Sequence, residues 1–396
     1  MSAIEDSIAT IERLDPSLHA WAYFDAELAR KNAENARPGS LHGIPVGVKD
    51  IFNTYDMPTQ MGSPIWRDFT PGNDARVVYN LRMAGAVIMG KTVTAEFAVH
   101  TPGPTRNPHN TEYMAGTSST GSAVAVAAGM VRMAIGTQTA GSTIRPASYC
   151  GVYGFKPTFG LIPRTGMLKT TDTLDTVGMF ARNVPDLRLL FDAIRVHGLD
   201  YPYSDLQEGE AKKVYMALGP KWKDAEIYAR EALIQFSADH EYYDWKPMGD
   251  MFGNIHCLHS IIYDKTLSYY FREEYKQKTL VSDKMYQIIE RGQSITLDEY
   301  EIALDEQANL TAKFDAWMCE NEIDILLDLS TGGTALKGLD TEDRPDNCLI
   351  WTFLGLPVVN IPMFTGPNGM PFGLQAIARK YDDYKLLRFC EEVAGG

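Results

Sequence analysis

A chain of 396 residues, 45% hydrophobic and 22% charged, can bury a large core and has the composition of an ordinary globular protein. Its formal net charge of −14 argues against nucleic acid or an anionic membrane surface as a partner. The five cysteines, scattered at 150, 257, 319, 348 and 390, form neither a disulfide framework nor a metal motif, and read as free thiols in a reducing cytoplasm.

Glu5 and Asp6 fall where the apolar core of a secretory leader would begin, so no leader is expected. Ser2 and Glu5 have the spacing of a capping box. Ile4, Ile8, Ile11 and Leu14 mark one face of a helix that should stop at Asp15-Pro16. A second helix is predicted from Asp25 to Asn35. Ile44 to Val48 reads as a buried strand, Asp74 to Ala84 as a helix and Ala86 to Lys91 as another strand. Strands alternating with helices across glycine-rich turns predict an α/β layer architecture. No run approaches the eighteen or so apolar residues of a membrane span.

Residues 114–157, MAGTSSTGSAVAVAAGMVRMAIGTQTAGSTIRPASYCGVYGFKP, interleave glycine, serine and threonine with strongly apolar segments. That is the pattern of buried backbone that must approach something closely, not of a linker. Gly116 to Ser122 has the glycine spacing of a phosphate loop but lacks its lysine. The G-x-S-x-G nucleophile elbow is absent as well. Two serines in small-residue turns remain, Ser118 and Ser142. A serine nucleophile needs a base, and a desolvated lysine can act as one. Lys49 and Lys91 both end apolar strands, and composition alone does not choose between them. Ser122 to Gly129 is predicted as a tightly packed helix, with Ser119, Thr120 and Ser122 placed to cap its start.

Four segments carry a resemblance: GIPVGVKD at 43–50, AGTSSTGSAVAVAAG at 115–129, GTQTAGSTIRPASYCGVYGFKPT at 136–158, and GLPVVNIP at 355–362 with MPFGLQAIAR at 370–379. The chain resembles the amidase signature family along its whole length. The resemblance implies a single-domain α/β fold over 1–396, with a central mixed β-sheet of about 11 strands covered by helices on both faces. It implies Ser142 as nucleophile, Ser118 on a cis peptide as the bridging serine, and Lys49 as the base. The main-chain N–H groups of Thr139, Ala140, Gly141 and Ser142 would form the oxyanion hole. Thr117 and Ala140 stand where the family usually has glycine. Arginine falls three residues after the nucleophile, at Arg145, as in the branch that includes malonamidase. It could clamp a substrate carboxylate or serve as a structural arginine paired with a nearby acid. Ser119 is a further candidate for substrate contact.

Thr173 to Gly178 continues the family pattern, and Pro185 to Val196 is predicted as a helix. From about His197 to Thr296 the match fades in a tyrosine-rich region; in such enzymes variable segments shape the acyl pocket, and the aromatics read first as core packing, otherwise as lining a substrate site or a subunit interface. Helices are predicted there at 221–238, 262–278 and 282–291. His256 and His259 have no evident third partner, so no metal is expected. Leu297 to Glu320 is a long amphipathic helix, Asp324 to Leu329 a buried strand, and Ser330 to Thr334 a turn, which the resemblance implies faces the site. Pro357 to Ile361 and Phe372 to Ala378 supply two more strands before a closing helix. Asn309-Leu310-Thr311 fits a glycosylation triplet but lies mid-helix in a chain expected to be cytoplasmic, and is discounted.

The resemblance implies hydrolysis of the C–N bond of a small amide, carboxylate-bearing ones included, with no metal or organic cofactor and with a homodimer as the family expectation. The alternatives are a glutamine-hydrolysing subunit of a tRNA-dependent amidotransferase, and a non-catalytic binding protein on the same scaffold.

Overall fold

The structure, a computed structural model, describes residues 2–196, 209–242, 245–339, 341 and 343–395. The first third holds α1 (Ser2–Leu18), β1 (Trp21–Phe24), α2 (Ala26–Glu34), β2 (Pro45–Lys49), α3 (Arg76–Met83), β3 (Val87–Thr92) and α4 (Thr120–Ala127). Next come β4 (Met133–Gln138), α5 (Ile144–Cys150), β5 (Tyr153–Lys156), β6 (Thr176–Ala181) and α6 (Val184–Ile194). The middle carries β7 (Val214–Leu218), α7 (Ile227–Asp239), β8 (Trp245–Pro247), α8 (Ile255–Tyr270) and α9 (Asp283–Ser294). The chain closes with α10 (Leu297–Glu320), β9 (Ile325–Leu329), α11 (Cys348–Phe353), β10 (Val358–Thr365), β11 (Pro371–Ala378) and α12 (Asp383–Gly395).

The eleven strands among the described residues join one sheet in the order β1-β3-β2-β4-β6-β5-β10-β11-β9-β7-β8. It is mixed: β2 runs parallel to both β3 and β4, while β4 pairs antiparallel with β6. Successive side chains of a strand point to opposite faces, and the two cores follow that alternation. Ile325, Leu327 and Leu329 pack into the layer that includes α6, α7 and α12, whereas Leu326 packs with α8, α10 and α11. Ala134 of β4 packs against α1 and α4. Both faces are therefore covered by helices.

Helix boundaries differ from the sequence reading most clearly at α1, α7 and α8, with α7 beginning at Ile227 where the sequence predicts 221. The first helix runs through Pro16 and stops at His19, which adopts φ +50. There the Asp15 carboxylate accepts from the N–H groups of Ala20 and Trp21. The α8 helix starts earlier than predicted and breaks after Tyr270, where Phe271 tucks against Phe97 with ring centroids 4.8 Å apart. The strands β1 and β4 to β8, and the short helices α5 and α11, are additions to the elements that periodicity predicts. By contrast α10 begins at the predicted residue, with Thr296 and Glu299 closing a capping box. The capping side chain expected at Ser2, and the tyrosine-rich segment 197–208, lie outside the described residues. No described helix is long and apolar enough to cross a membrane.

Candidate active site

Because β2 and β4 are parallel neighbours, with Val46 opposite Met133 and Val48 opposite Ile135, their carboxyl ends lie side by side. Lys49 is the last residue of β2 and is fully buried. Its Nζ lies 2.8 Å from Ser118 Oγ, 3.0 Å from Ser119 Oγ and 2.9 Å from Thr137 Oγ1. All three neighbours are neutral hydroxyls, and no described carboxylate reaches it to form an ion pair. Burial pushes its pKa well below the ordinary lysine value, against the weaker pull of the Asp175 charge. Lys91 is buried too, but it faces Asp50 at 3.2 Å and bonds Thr59 Oγ1 at 2.7 Å and the Pro58 carbonyl at 3.1 Å. Burial lowers its pKa to about 8, with Asp50 holding it up. The two lysines that composition could not separate are thus separated by their partners: one pairs with a carboxylate, the other with serines.

Ser118 and Ser119 reach Lys49 from the turn before α4. Gly116 and Ser118 both take left-handed backbone, with φ +98 and φ +47. A Cβ at position 116 would sit 2.8 Å from the Pro146 Cα, so only glycine fits. The cis peptide implied at Ser118 is not found: the described residues contain no cis bond. The sharp turn is made by the two left-handed residues instead, with the Ala95 N–H donating to the Ser118 carbonyl at 3.2 Å. Ser119 also departs from expectation. Its side chain does not cap α4. It is fully buried, donates to the Thr137 carbonyl at 3.0 Å and accepts from Thr137 N–H at 3.2 Å and from Lys49. That occupancy leaves it bracing Lys49 against β4 rather than touching substrate. Gly136 makes room for it, since a Cβ there would come within 2.7 Å of Ser119 Oγ.

Beyond β4 the chain turns through Thr139, Ala140, Gly141 and Ser142 into α5. Ser142 is partly exposed, and its hydroxyl makes no hydrogen bond among the described residues. The main-chain N–H groups of Thr139 to Ser142 likewise have no acceptor among the described residues. Four consecutive unpaired donors are unusual in a turn where Thr139 and Gly141 are buried, because buried groups normally find partners. The carbonyls of Thr139, Ala140 and Gly141 are all held. His259 Nε2 contacts the Thr139 carbonyl at 3.0 Å, Thr352 Oγ1 donates to that of Ala140 at 2.7 Å, and Arg145 N–H donates to that of Gly141 at 2.9 Å. The Gln138 Oε1 accepts from the N–H groups of Thr143 and Ile144 at 2.9 and 3.0 Å, and its Nε2 donates to Thr352 Oγ1 at 2.9 Å. The Thr139 hydroxyl donates at 2.7 Å to the buried Asp175 carboxylate, which also collects Thr170 and Thr171.

Arg145 lies beside this loop with its charge already matched. It meets Asp346 at 2.7 Å and Asp343 at 2.8 Å. Asp343 also accepts a short hydrogen bond from the Thr117 hydroxyl. The structural alternative for Arg145 is what the geometry contains: a guanidinium filled by two aspartates has no free fork for a substrate carboxylate. Thr117, Arg145, His100, Lys284, Asp343 and Asp346 line a cleft of about 550 Å3.

Sequence reasoning misses Gln138, Thr352 and the two aspartates. Thr352 and Asp346 join the loop from more than 200 residues away. No spacing rule links partners so distant. His259 stands out in the sequence only as a metal ligand lacking its set, and its Nε2 is instead engaged with a carbonyl.

A mixed α/β sheet presenting a buried, uncompensated lysine and two serines at its strand ends has the build of an enzyme. The sequence model described as Amidase matches residues 2–215. The chain is 30% identical over 450 residues to a glutamyl-tRNA(Gln) amidotransferase subunit from Halalkalibacterium halodurans, covering 97% of this chain and 91% of that protein. Among solved structures, a protein from a vestigial complex tied to the origins of an s-triazine catabolic enzyme superposes with TM-score 0.89 at 28% identity. That alignment covers 100% of this chain and 95% of the other. The peptide amidase of Stenotrophomonas maltophilia superposes with TM-score 0.82 at 26% identity, over 98% of this chain and 92% of its own. The chain belongs to the amidase family and is a hydrolase acting on amides.

Proposed function

We propose that this protein hydrolyses a small amide through an acyl-enzyme on Ser142, with Ser118 and Lys49 as the proton relay. The observation that carries this reading is the surroundings of Lys49 Nζ. A neutral amine has two N–H donors and one lone pair. Ser119 spends its own proton on the Thr137 carbonyl, so it must accept from Lys49. One further amine N–H then serves Thr137 Oγ1, and the lone pair is left facing Ser118 Oγ. That is the arrangement of a base ready to take the Ser118 proton.

In the reaction Ser142 Oγ, which is not hydrogen-bonded to Ser118 in the structure, closes on it while attacking the amide carbonyl, so that its proton moves to Ser118 and the Ser118 proton to Lys49. Negative charge grows on the carbonyl oxygen and meets the unpaired N–H groups between Thr139 and Ser142, a contribution of about 3–4 kcal/mol for a single such donor. The C–N bond breaks as the proton returns through Ser118 to the leaving nitrogen, releasing ammonia or an amine. Water then attacks the Ser142 ester by the same relay and frees the acid. Incubating a panel of small amides with wild type and with Ser142→Ala, read by mass spectrometry, tests this. Turnover in wild type and its loss in a folded Ser142→Ala support the reading, and equal turnover in both refutes it.

A second reading draws on the Halalkalibacterium relative: the ammonia would come from glutamine and pass to a partner protein. Glutaminase activity that appears only with a co-purifying protein would favour it over a stand-alone amidase.

A further inference from the structure

We infer that His259, from the region where the sequence match to the family fades, is a positioning residue that sets the orientation of the oxyanion loop; this rests on the acyl-enzyme reading above.

A peptide group is planar and trans, so its C=O and the following N–H point in opposite directions. Holding one fixes the other. The Thr139 carbonyl is held by His259 from α8, which aims the Ala140 N–H away from α8. The Ala140 carbonyl is held by Thr352 from α11, which fixes the Gly141 N–H in the same way. The two carbonyls are anchored by different elements, and the two N–H groups they control belong to the unpaired set.

The imidazole is suited to this task. It is 5% exposed and stacks on Tyr263, with centroids 5.6 Å apart and ring planes 22° apart. Burial depresses its pKa to about 4, so it is neutral at neutral pH. A carbonyl oxygen is only an acceptor, so the proton of the neutral ring must sit on Nε2. A buried histidine in α8, between Leu258 and Ile262, costs stability unless that N–H is used. Its use lies on the loop that carries the free donors. The middle of the chain thereby reaches the reaction centre through one hydrogen bond, without touching the reacting atoms.

A fluorophosphonate probe tests this directly. Ser142 Oγ bonds to phosphorus, fluoride leaves, the serine proton passes to Lys49, and the phosphonyl oxygen occupies the position of the oxyanion. Labelling rate against probe concentration gives a maximal rate and a half-saturating concentration. His259→Phe, which keeps ring volume and loses the donor, should lower the maximal rate tenfold or more with the half-saturating concentration within twofold of wild type. His259→Gln, whose amide Nε2 can reach the same carbonyl, should recover the maximal rate to within threefold. Should the Phe variant fail to fold, His259→Asn, with an amide too short to reach, makes the same test. A wild-type rate in the donor-less variant overturns the inference. So does an equal fall in the Phe and Gln variants that tracks their thermal midpoints, because that is the signature of packing alone. Failure of wild type to label at all overturns both the serine reading and this one.

Discussion

Replacing Lys49 by methionine separates the chemistry of the amine from its cost. The two side chains have similar length, so the packing around β2 changes little. The catalytic expectation is a fall in kcat of about 10²–10⁴, the usual worth of a positioned proton acceptor. The effect on stability has a definite shape in pH. In the unfolded chain Lys49 titrates at about 10.4. In the folded protein its pKa is depressed by burial. Between those two values the unfolded state binds a proton that the native state does not, so native stability rises with pH across the window. Each pH unit within it is worth about 1.4 kcal/mol. Below the folded value the native amine is charged as well and this contribution to the slope vanishes. Lys49→Met abolishes the titration, and with it that rise.

The absolute change at a single pH is a poorer guide. Methionine relieves the burial of an amine but removes the partner of Ser118, Ser119 and Thr137, each hydrogen bond being worth about 1 kcal/mol. The two effects oppose each other; the slope does not suffer from that cancellation. Urea unfolding of wild type and Lys49→Met at a series of pH values, up to about the unfolded lysine value, measures it. The difference between the proteins should shift in favour of wild type as pH rises. In parallel, wild-type kcat/KM should rise to a plateau reached well below the ordinary lysine value. Parallel stability curves, or an activity limb at the ordinary lysine pKa, would refute the claim that this amine is uncharged in the working enzyme.

Lys91→Met should break the buried pair with Asp50 and cost about 3–5 kcal/mol in urea unfolding, yet leave turnover per folded molecule near wild type. Arg145→Ala strips the partner from Asp343 and Asp346, so a similar loss of stability is expected, with anionic and neutral amides affected alike. Selective loss of anionic substrates from a variant of wild-type stability would restore the carboxylate clamp. Ser119→Ala leaves Lys49 without one acceptor and should cost about 1–3 kcal/mol and lower kcat at unchanged KM. Gly136→Ala drives a Cβ into Ser119 and should reproduce that kinetic defect with a larger drop in thermal midpoint.

The parts of the site legible in the sequence are those whose chemistry lies within one contiguous run. Ser118, Ser142 and the donors from Thr139 onward sit in two glycine-rich segments, where small residues announce close backbone approach. The supports are not legible. Arg145 can be read as a free clamp because its acids stand at positions 343 and 346, on a loop that periodicity cannot bring to it. The strand β4 is hidden for a related reason. Its glycine at 136 weakens a strand pattern, and a Cβ there would come within 2.7 Å of Ser119 Oγ.

The structural difference between the two lysines traces to Asp50. Asp50 directly follows Lys49, and proximity along the chain suggests a carboxylate beside the base. Successive residues of an extended chain point to opposite sides, so Asp50 turns away from Lys49 and toward the neighbouring strand. There it meets Lys91, one residue before Thr92, the register partner of Lys49 in β3. A single acid therefore neutralises the structural lysine and leaves the other without a counterion. Moving that acid one position would reverse the arrangement. In this chain, the acid that directly follows the lysine ending one buried strand is the partner of the lysine in the neighbouring strand.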